Sequence, residues 1–286
     1  MKKTLLFPLM LAPLLLGACN SPAEKTTTTT TQTETAPAET TTTTETATTE
    51  AATTPATTGG ACMDRIRADG LRVITSPDYP PYESTDDQNN IVGFDVDMVN
   101  ALAEEMGVKA EFTGQGFDGL IPSLVAGRAD LIAAGLSVTP ERAESVAFTD
   151  PYEETINVIV VAADDNTVTS AENLSGKTVG VQLGTVQADM AREIEGADVR
   201  DFNLFSDALG ALKSGQIDSM IVDAPVGEEY VKVHSDVKLA GEMDGGSKAL
   251  ATQLECTDLV AELNAALATL QGNGELEAMR AKWFTE

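Results

Sequence analysis

One phrase occurs twice along this chain. Leu124-x-x-Gly127-x-x-Asp130 precedes an apolar run that reaches Gly135, and Leu212-x-x-Gly215-x-x-Asp218 precedes one that reaches Asp223. In each copy an apolar helix stops at a glycine, an aspartate follows, and a short buried strand begins. The repetition predicts two similar open α/β halves, because a strand buried on both faces needs helices to cover it. Ligands of such sheets sit beyond the carboxyl ends of the strands. Gly135 and Asp223 then take equivalent places in two lobes, and two lobes imply a cleft.

The stretch Gly135-Leu-Ser-Val-Thr-Pro-Glu-Arg142 ends a strand and opens a helix, with an arginine in the first turn. A helix N-terminus favours negative charge, so a cation there calls for an anion, and a bound carboxylate would supply one. Pairing with Glu141, Glu144 or Asp150 is the competing reading of Arg142. Asp223 has its own competing reading, as the cap of a helix opening at Ala224-Pro225.

Residues 1–18 read as an export signal: Met1-Lys2-Lys3 is cationic, Leu5 to Leu16 is apolar, and Gly17-Ala18 are small. With Cys19 they resemble the lipobox of bacterial lipoproteins, which makes Cys19 the lipid-modified first residue and places the rest outside the cytoplasm. This means the periplasm or the outer face of the plasma membrane. Residues 19–61 are dominated by threonine and contain almost nothing to bury, so they read as a disordered tether. A formal charge of -27 argues against a nucleic-acid partner and against docking on anionic lipid. Of the three cysteines, Cys62 and Cys256 are an even pair in an exported protein and are expected to be bridged. His234, the single histidine, is expected in solvent, so neither a serine triad nor a histidine metal site is read here.

Leu71 to Thr75 is a strand stopped by Pro77, Pro80 and Pro81, which leaves tyrosines at its carboxyl end. Asp95 is expected to open a helix whose stripe is Val96, Val99, Leu102, Ala103 and Met106, with Asp95 and Asp97 as cap and first-turn acids. Val108 to Thr113 alternates as a strand and leads into Gly114-Gln-Gly-Phe-Asp-Gly119. That loop has the spacing of a dinucleotide fingerprint, but bulky Phe117 sits inside it and no ribose-binding acid ends the next strand, so no cofactor is read. Thr169 and Glu172 have capping-box spacing. A last strand from Lys248 to Gln253 and two helices, Asp258 to Leu270 and Glu275 to Trp283, complete the chain. Two crossings between lobes, near Tyr152 to Val158 and near Asp244 to Lys248, would form a hinge.

Seven stretches resemble the extracellular solute-binding proteins, family 3, of amino-acid ABC importers. They are Asp78-Tyr-Pro-Pro-Tyr-Glu83, Val92-Gly-Phe-Asp-Val-Asp97, Phe117-Asp-Gly-Leu-Ile-Pro122, Thr139-Pro-Glu-Arg142, Phe148-Thr-Asp-Pro-Tyr152, Val179-Gly-Val-Gln-Leu-Gly-Thr185 and Lys282-Trp-Phe284. The resemblance implies a two-lobed periplasmic-binding-protein-like fold of type II. It also implies lobes at 62–155 with 248–286 and at 156–247, joined by a two-segment hinge.

In that family the ligand carboxylate is held at the position of Arg142, helped by Ser137 and Thr185. Asp223 and main-chain oxygen near Gly135 hold the ammonium, while Tyr79 and Phe117 cover the side chain. Ser76 and Gln182 stand where relatives have aspartate and lysine, so a polar or neutral amino acid is expected. The implied partners are a free L-amino acid and the permease subunits with their cytoplasmic ATPase, with the protein itself a monomer on a lipid anchor. Two rivals remain. One is an exported cyclohexadienyl dehydratase-like enzyme using Glu83, Glu153 or Asp118 as acid. The other is a sensor domain, against which the chain's end at Glu286, directly after its last helix, is taken to argue.

Overall fold

The computed structural model describes residues 60–284. The expected signal segment, Cys19 and nearly all of the tether lie outside the described residues.

Helix α1 (Ala61–Asp69) leads into strand β1 (Leu71–Thr75), and the short pair β2 (Ser84–Thr85) and β3 (Ile91–Val92) follows the prolines. Next come α2 (Phe94–Glu105), β4 (Ala110–Gly114), α3 (Leu120–Val125), β5 (Leu131–Ile132), α4 (Pro140–Ala143) and β6 (Val146–Phe148). The chain then crosses on β7 (Glu153–Ala162) and continues through β8 (Thr178–Gln182), α5 (Val186–Glu193), β9 (Asp198–Phe202), α6 (Phe205–Lys213), β10 (Ser219–Asp223) and α7 (Ala224–Val233). It returns on β11 (Val237–Lys248) and ends with β12 (Ala251–Gln253), α8 (Thr257–Asn273) and α9 (Glu275–Trp283).

Two five-stranded sheets result, ordered β4-β1-β5-β12-β6 and β9-β8-β10-β7-β11. In each, the first of three successive parallel strands lies between the second and third, and antiparallel strands complete the sheet. The repeated phrase is therefore a topological repeat, and its residues do the same work twice. Gly127 and Gly215 turn left-handed at φ 72° and 71°, and their N–H groups close the preceding helices on Leu124 and Leu212 carbonyls. The Asp130 carboxylate accepts from Arg72 N–H at 2.9 Å, and that of Asp218 from Thr178 N–H at 2.7 Å. Each aspartate also donates its own N–H to the carbonyl of that same residue, which clamps the parallel register at its start.

Side chains alternate across β7 and β10 as a pleat requires. Val158, Val160, Met220 and Val222 pack with Phe205, Leu209, Leu212 and Val226. Ile159, Val161 and Ile221 face Leu174, Ala188 and Ala191 on the other side. Both faces are dry, which is why these strands read as continuous apolar runs.

The crossings are the ends of β7 and β11, paired antiparallel with Lys248 opposite Glu153 and Gly246 opposite Thr155. Register shifts there at a bulge, where a Cβ on Gly245 would lie 1.8 Å from the Thr155 carbonyl oxygen, so only glycine allows this approach. Cys62 in α1 is disulfide-bonded to Cys256 at the head of α8, with Cα atoms 5.6 Å apart. Every described residue belongs to one compact unit, Pro55–Glu286, and among them no helix is long and apolar enough to cross a membrane.

Several local expectations change. Gly93, and no side chain, caps α2; Asp95 is wholly buried with its carboxylate turned inward. Strand β4 begins at Ala110 because Val108 N–H still bonds the Ala103 carbonyl at the end of α2. Thr169 and Glu172 form no capping box: Ser170 precedes the single turn Ala171–Leu174, Glu172 bonds the Ser170 hydroxyl, and Thr169 donates to Asn173. The expected strand from Lys248 to Gln253 is split, since Ala249 N–H leaves the sheet line to bond the Leu136 carbonyl. His234 caps the end of α7, half-exposed beside the Lys213 ammonium at 3.2 Å.

Candidate functional site

Thr139 and Pro140 build the start of α4. The Thr139 hydroxyl accepts from Arg142 N–H at 3.1 Å, and proline occupies a position with no helical partner for an N–H. This short helix aims the Arg142 guanidinium into the cleft. One Nη donates to the Ser137 carbonyl at 2.7 Å and the other to the Gly184 carbonyl in the second lobe at 3.1 Å. The Phe117 ring lies beneath it, 5.5 Å from centroid to Cζ. Burial pulls the guanidinium below its ordinary value. None of the described ion pairs involves Arg142, so Glu141, Glu144 and Asp150 make no salt bridge with it, although the charges of Asp189, Glu141 and Asp223 act on it from a distance.

Asp223 ends β10 and occupies the cap position of α7 without a side-chain capping bond. Its carboxylate turns instead towards the cleft. Oδ2 accepts from the Tyr79 hydroxyl at 2.7 Å, the Lys248 ammonium at 2.7 Å and Gln187 Nε2 at 3.3 Å. The Tyr79 oxygen in turn accepts Asp223 N–H at 2.8 Å. Lys248, only 2 % exposed, also donates to Ser137 Oγ at 2.9 Å. The aspartate expected to answer a ligand ammonium thus answers an ammonium of the chain itself.

Thr185 caps α5, its hydroxyl accepting Ala188 N–H at 3.2 Å and donating to the Gln182 carbonyl at 2.7 Å. That hydroxyl closes its own turn at the start of the helix. Gln182 and Ser76 meet on one acid that sequence reading passed over. Asp78 accepts from Ser76 Oγ at 3.2 Å and Gln182 Nε2 at 3.4 Å, and its second oxygen takes Phe205 N–H at 2.6 Å. Burial raises the Asp78 carboxyl above its ordinary value. Tyr79 stacks on Phe205 with centroids 4.5 Å apart, so it is both a core aromatic and a wall of the cleft.

Gly135 turns at φ 49°, a conformation that suits glycine, and its N–H donates to Asp95 Oδ2 at 2.8 Å. Tyr152 holds the same oxygen at 3.0 Å. Burial pushes the Asp95 carboxyl up to about 7, against these two bonds, which favour its charge. Glu83 is also wholly buried, and neither of its oxygens has a hydrogen-bond partner. Desolvation, reinforced by the charge of Asp95, raises it well above the carboxylate range.

All nine residues singled out from the sequence, Ser76, Tyr79, Phe117, Gly135, Ser137, Arg142, Gln182, Thr185 and Asp223, line one narrow cavity. Glu83, Gln187, Phe205 and Lys248 join them. Of the four, the sequence marks Glu83 only as a candidate catalytic acid. Lys248 had a visible signal: it is a lone cation entering the apolar run Ala249-Leu-Ala251. Gln187 had a weaker one, lying two residues beyond a helix cap. Among the described residues no cluster of three His, Cys, Asp or Glu side chains could hold a metal ion.

Residues 71–286 match the bacterial extracellular solute-binding proteins, family 3. The arginine-binding extracellular protein ArtP of Bacillus subtilis (strain 168) is 37% identical over 220 residues, covering 74% of this chain and 84% of that protein. Holo ArgBP from T. maritima superposes with a TM-score of 0.71 at 37% identity, over 73% of this chain and 93% of that one. The ancestral amino acid-binding protein AncCDT-1, a precursor of cyclohexadienyl dehydratase, gives a TM-score of 0.75 at 33% identity, over 79% of this chain and all (100%) of that one. A paired α/β architecture with an arginine aimed into the cleft, matched over nearly all of the described residues, makes this chain a member of the bacterial extracellular solute-binding proteins, family 3.

Proposed function

We propose that this chain is the substrate-binding component of an ABC importer and closes two lobes, 62–155 with 248–286 and 156–247, around one small amino-acid-class ligand. The observation that carries the reading is the Arg142 fork. Two of its N–H groups are committed to main-chain carbonyls, one in each lobe, and among the described residues the guanidinium is ion-paired with no carboxylate. A planar fork with N–H groups to spare fits a carboxylate in two-bond geometry. Ser137, Thr185, Gly135 and Asp223 would surround the ligand's head, with Tyr79 and Phe117 over its side chain. Ser76, Gln182 and the unpartnered Glu83 carboxyl support a polar side chain that donates hydrogen bonds. The family membership supports delivery to permease subunits driven by a cytoplasmic ATPase, and the sequence of residues 1–61 supports an extracytoplasmic protein anchored through lipid on Cys19.

The chain is read as a binder and not an enzyme. A cyclohexadienyl dehydratase-like activity is the second reading, favoured by Glu83, a buried acid raised well above its ordinary value on the cavity wall. Thermal melting of the full chain against the twenty L-amino acids tests the first reading, since a ligand of the folded state alone must raise Tm. A rise with one or a few amino acids, and no turnover of prephenate or arogenate, is expected. No rise with any of them would overturn it.

A further inference from the structure

The titratable side chains at the cavity are Arg142, Lys248, the Asp223 carboxylate that Lys248 already holds, and Glu83, whose carboxyl burial raises well above the ordinary range. Lys248 is not a surface chain that has folded in. It is the last residue of β11, its backbone paired with Glu153 across the crossing and bridged to Ser137, and its carbonyl accepts Tyr152 N–H at 2.9 Å. Register therefore aims the side chain into the cleft. Its ammonium meets Asp223 at 2.7 Å and Ser137 Oγ at 2.9 Å. Glu153, opposite it in the strand pair, is engaged by Arg280 at 3.0 Å; among the described residues Asp223 is the one carboxylate in ion-pair contact with Lys248, whose charge also reaches the buried Glu83, Asp95 and Glu153.

A zwitterion entering this site brings a second ammonium to the same carboxylate, where like charges at contact distance repel. A carboxylate without an α-ammonium meets no such conflict. It balances Arg142 while Lys248 keeps Asp223, and every buried charge has an opposite beside it. We infer that Lys248 is a specificity-determining residue: it occupies the place of a ligand α-ammonium on Asp223 and shifts selection from amino acids towards the matching 2-hydroxy and 2-oxo acids. The inference rests on the reading that Arg142 holds a ligand carboxylate.

Matched pairs test it by calorimetric titration of the full chain: L-arginine with argininic acid, L-histidine with imidazolelactate, and L-phenylalanine with phenyllactate. The quantity read is Kd of the amino acid divided by Kd of its hydroxy acid. Lys248→Met should lower that ratio by about tenfold or more in any pair that binds. Lys248→Gln, which keeps a donor near Asp223 and Ser137, should lower it in the same direction and decides the matter if the methionine variant does not fold. A ratio that stays within about threefold of wild type, or rises, overturns the inference. An ammonium lodged on the second Asp223 oxygen beside Lys248 would give that result. If wild type binds pairs and Arg142→Ala loses both members while the ratio ignores residue 248, only the role of Lys248 falls. If wild type binds neither member of any pair, the carboxylate reading fails and this inference fails with it.

Discussion

Arg142→Ala separates the two tasks assigned to this side chain, and their sizes differ enough to be read apart. The guanidinium makes two hydrogen bonds, to the Ser137 and Gly184 carbonyls. Losing them should lower stability by about 1 to 2 kcal/mol, the usual net worth of two such bonds. The Gly184 bond crosses the cleft, so its loss also disfavours the closed form, by about 1 kcal/mol, or roughly fivefold in apparent affinity. Removing the fork from a bound carboxylate is the larger effect. It leaves a buried charge unpaired, for about 2 to 5 kcal/mol, roughly thirtyfold to several thousandfold in Kd. Calorimetry with the amino acid or hydroxy acid that most raises Tm reads the sum, and a ligand-free melt reads the first part alone. Arg142→Lys should fall between wild type and alanine, because a point charge remains where a bidentate fork was. An alanine variant that keeps its fold and binds within about threefold of wild type would refute the assignment, since even the cross-cleft bond should show more.

Loss of the Cys62–Cys256 disulfide, by reduction or by Cys256→Ser, frees a loop with a sequence separation of 194 residues. The chain-entropy estimate is a loss of up to about 5 kcal/mol, read as a lower denaturant midpoint; an unchanged midpoint would refute it. Asp95 titrates near 7 in the folded protein against an ordinary 3.8, so the folded state holds the extra proton across that window. Its ionisation therefore opposes folding, and stability falls as pH rises from about 4 to 7. Asp95→Asn keeps an oxygen for Gly135 N–H and Tyr152 and should flatten the pH dependence of the urea midpoint. Glu83 and Glu153, raised in the same sense by burial, leave a residual slope. A slope as steep in the variant as in wild type would discard the assignment.

The parts of this molecule legible in its sequence are those written locally. A helix, a glycine and an aspartate at fixed spacing are one supersecondary unit, so two copies announced two sheets before any pairing was known. Arg142 was conspicuous because its charge is wrong for the first turn it occupies. The unread parts depend on which way a buried side chain points, and that is decided by partners far along the chain. Asp95 has the position of a first-turn acid, yet its carboxylate serves Gly135, 40 residues later. Asp223 has the position of a helix cap, yet Tyr79 and Lys248 draw it into the cleft from 144 and 25 residues away. Thr185 lines the cavity as the sequence suggests, and its hydroxyl also closes its own turn, a local contact that cap spacing reveals.

The lobes are already bridged by chain atoms: Tyr79 to Asp223, Arg142 to Gly184, and Phe205 N–H to Asp78. A ligand can drive closure only through interactions it makes better in the closed form than in the open one. The second-lobe Asp223 is ion-paired with Lys248, whereas the first-lobe Arg142 is hydrogen-bonded to two neutral carbonyls and, among the described residues, ion-paired with no carboxylate. The unmet demand is for negative charge at Arg142. On the proposed reading the carboxylate is therefore the part of the ligand that stabilises closure, and any ammonium it carries meets an Asp223 already held through one oxygen by Lys248.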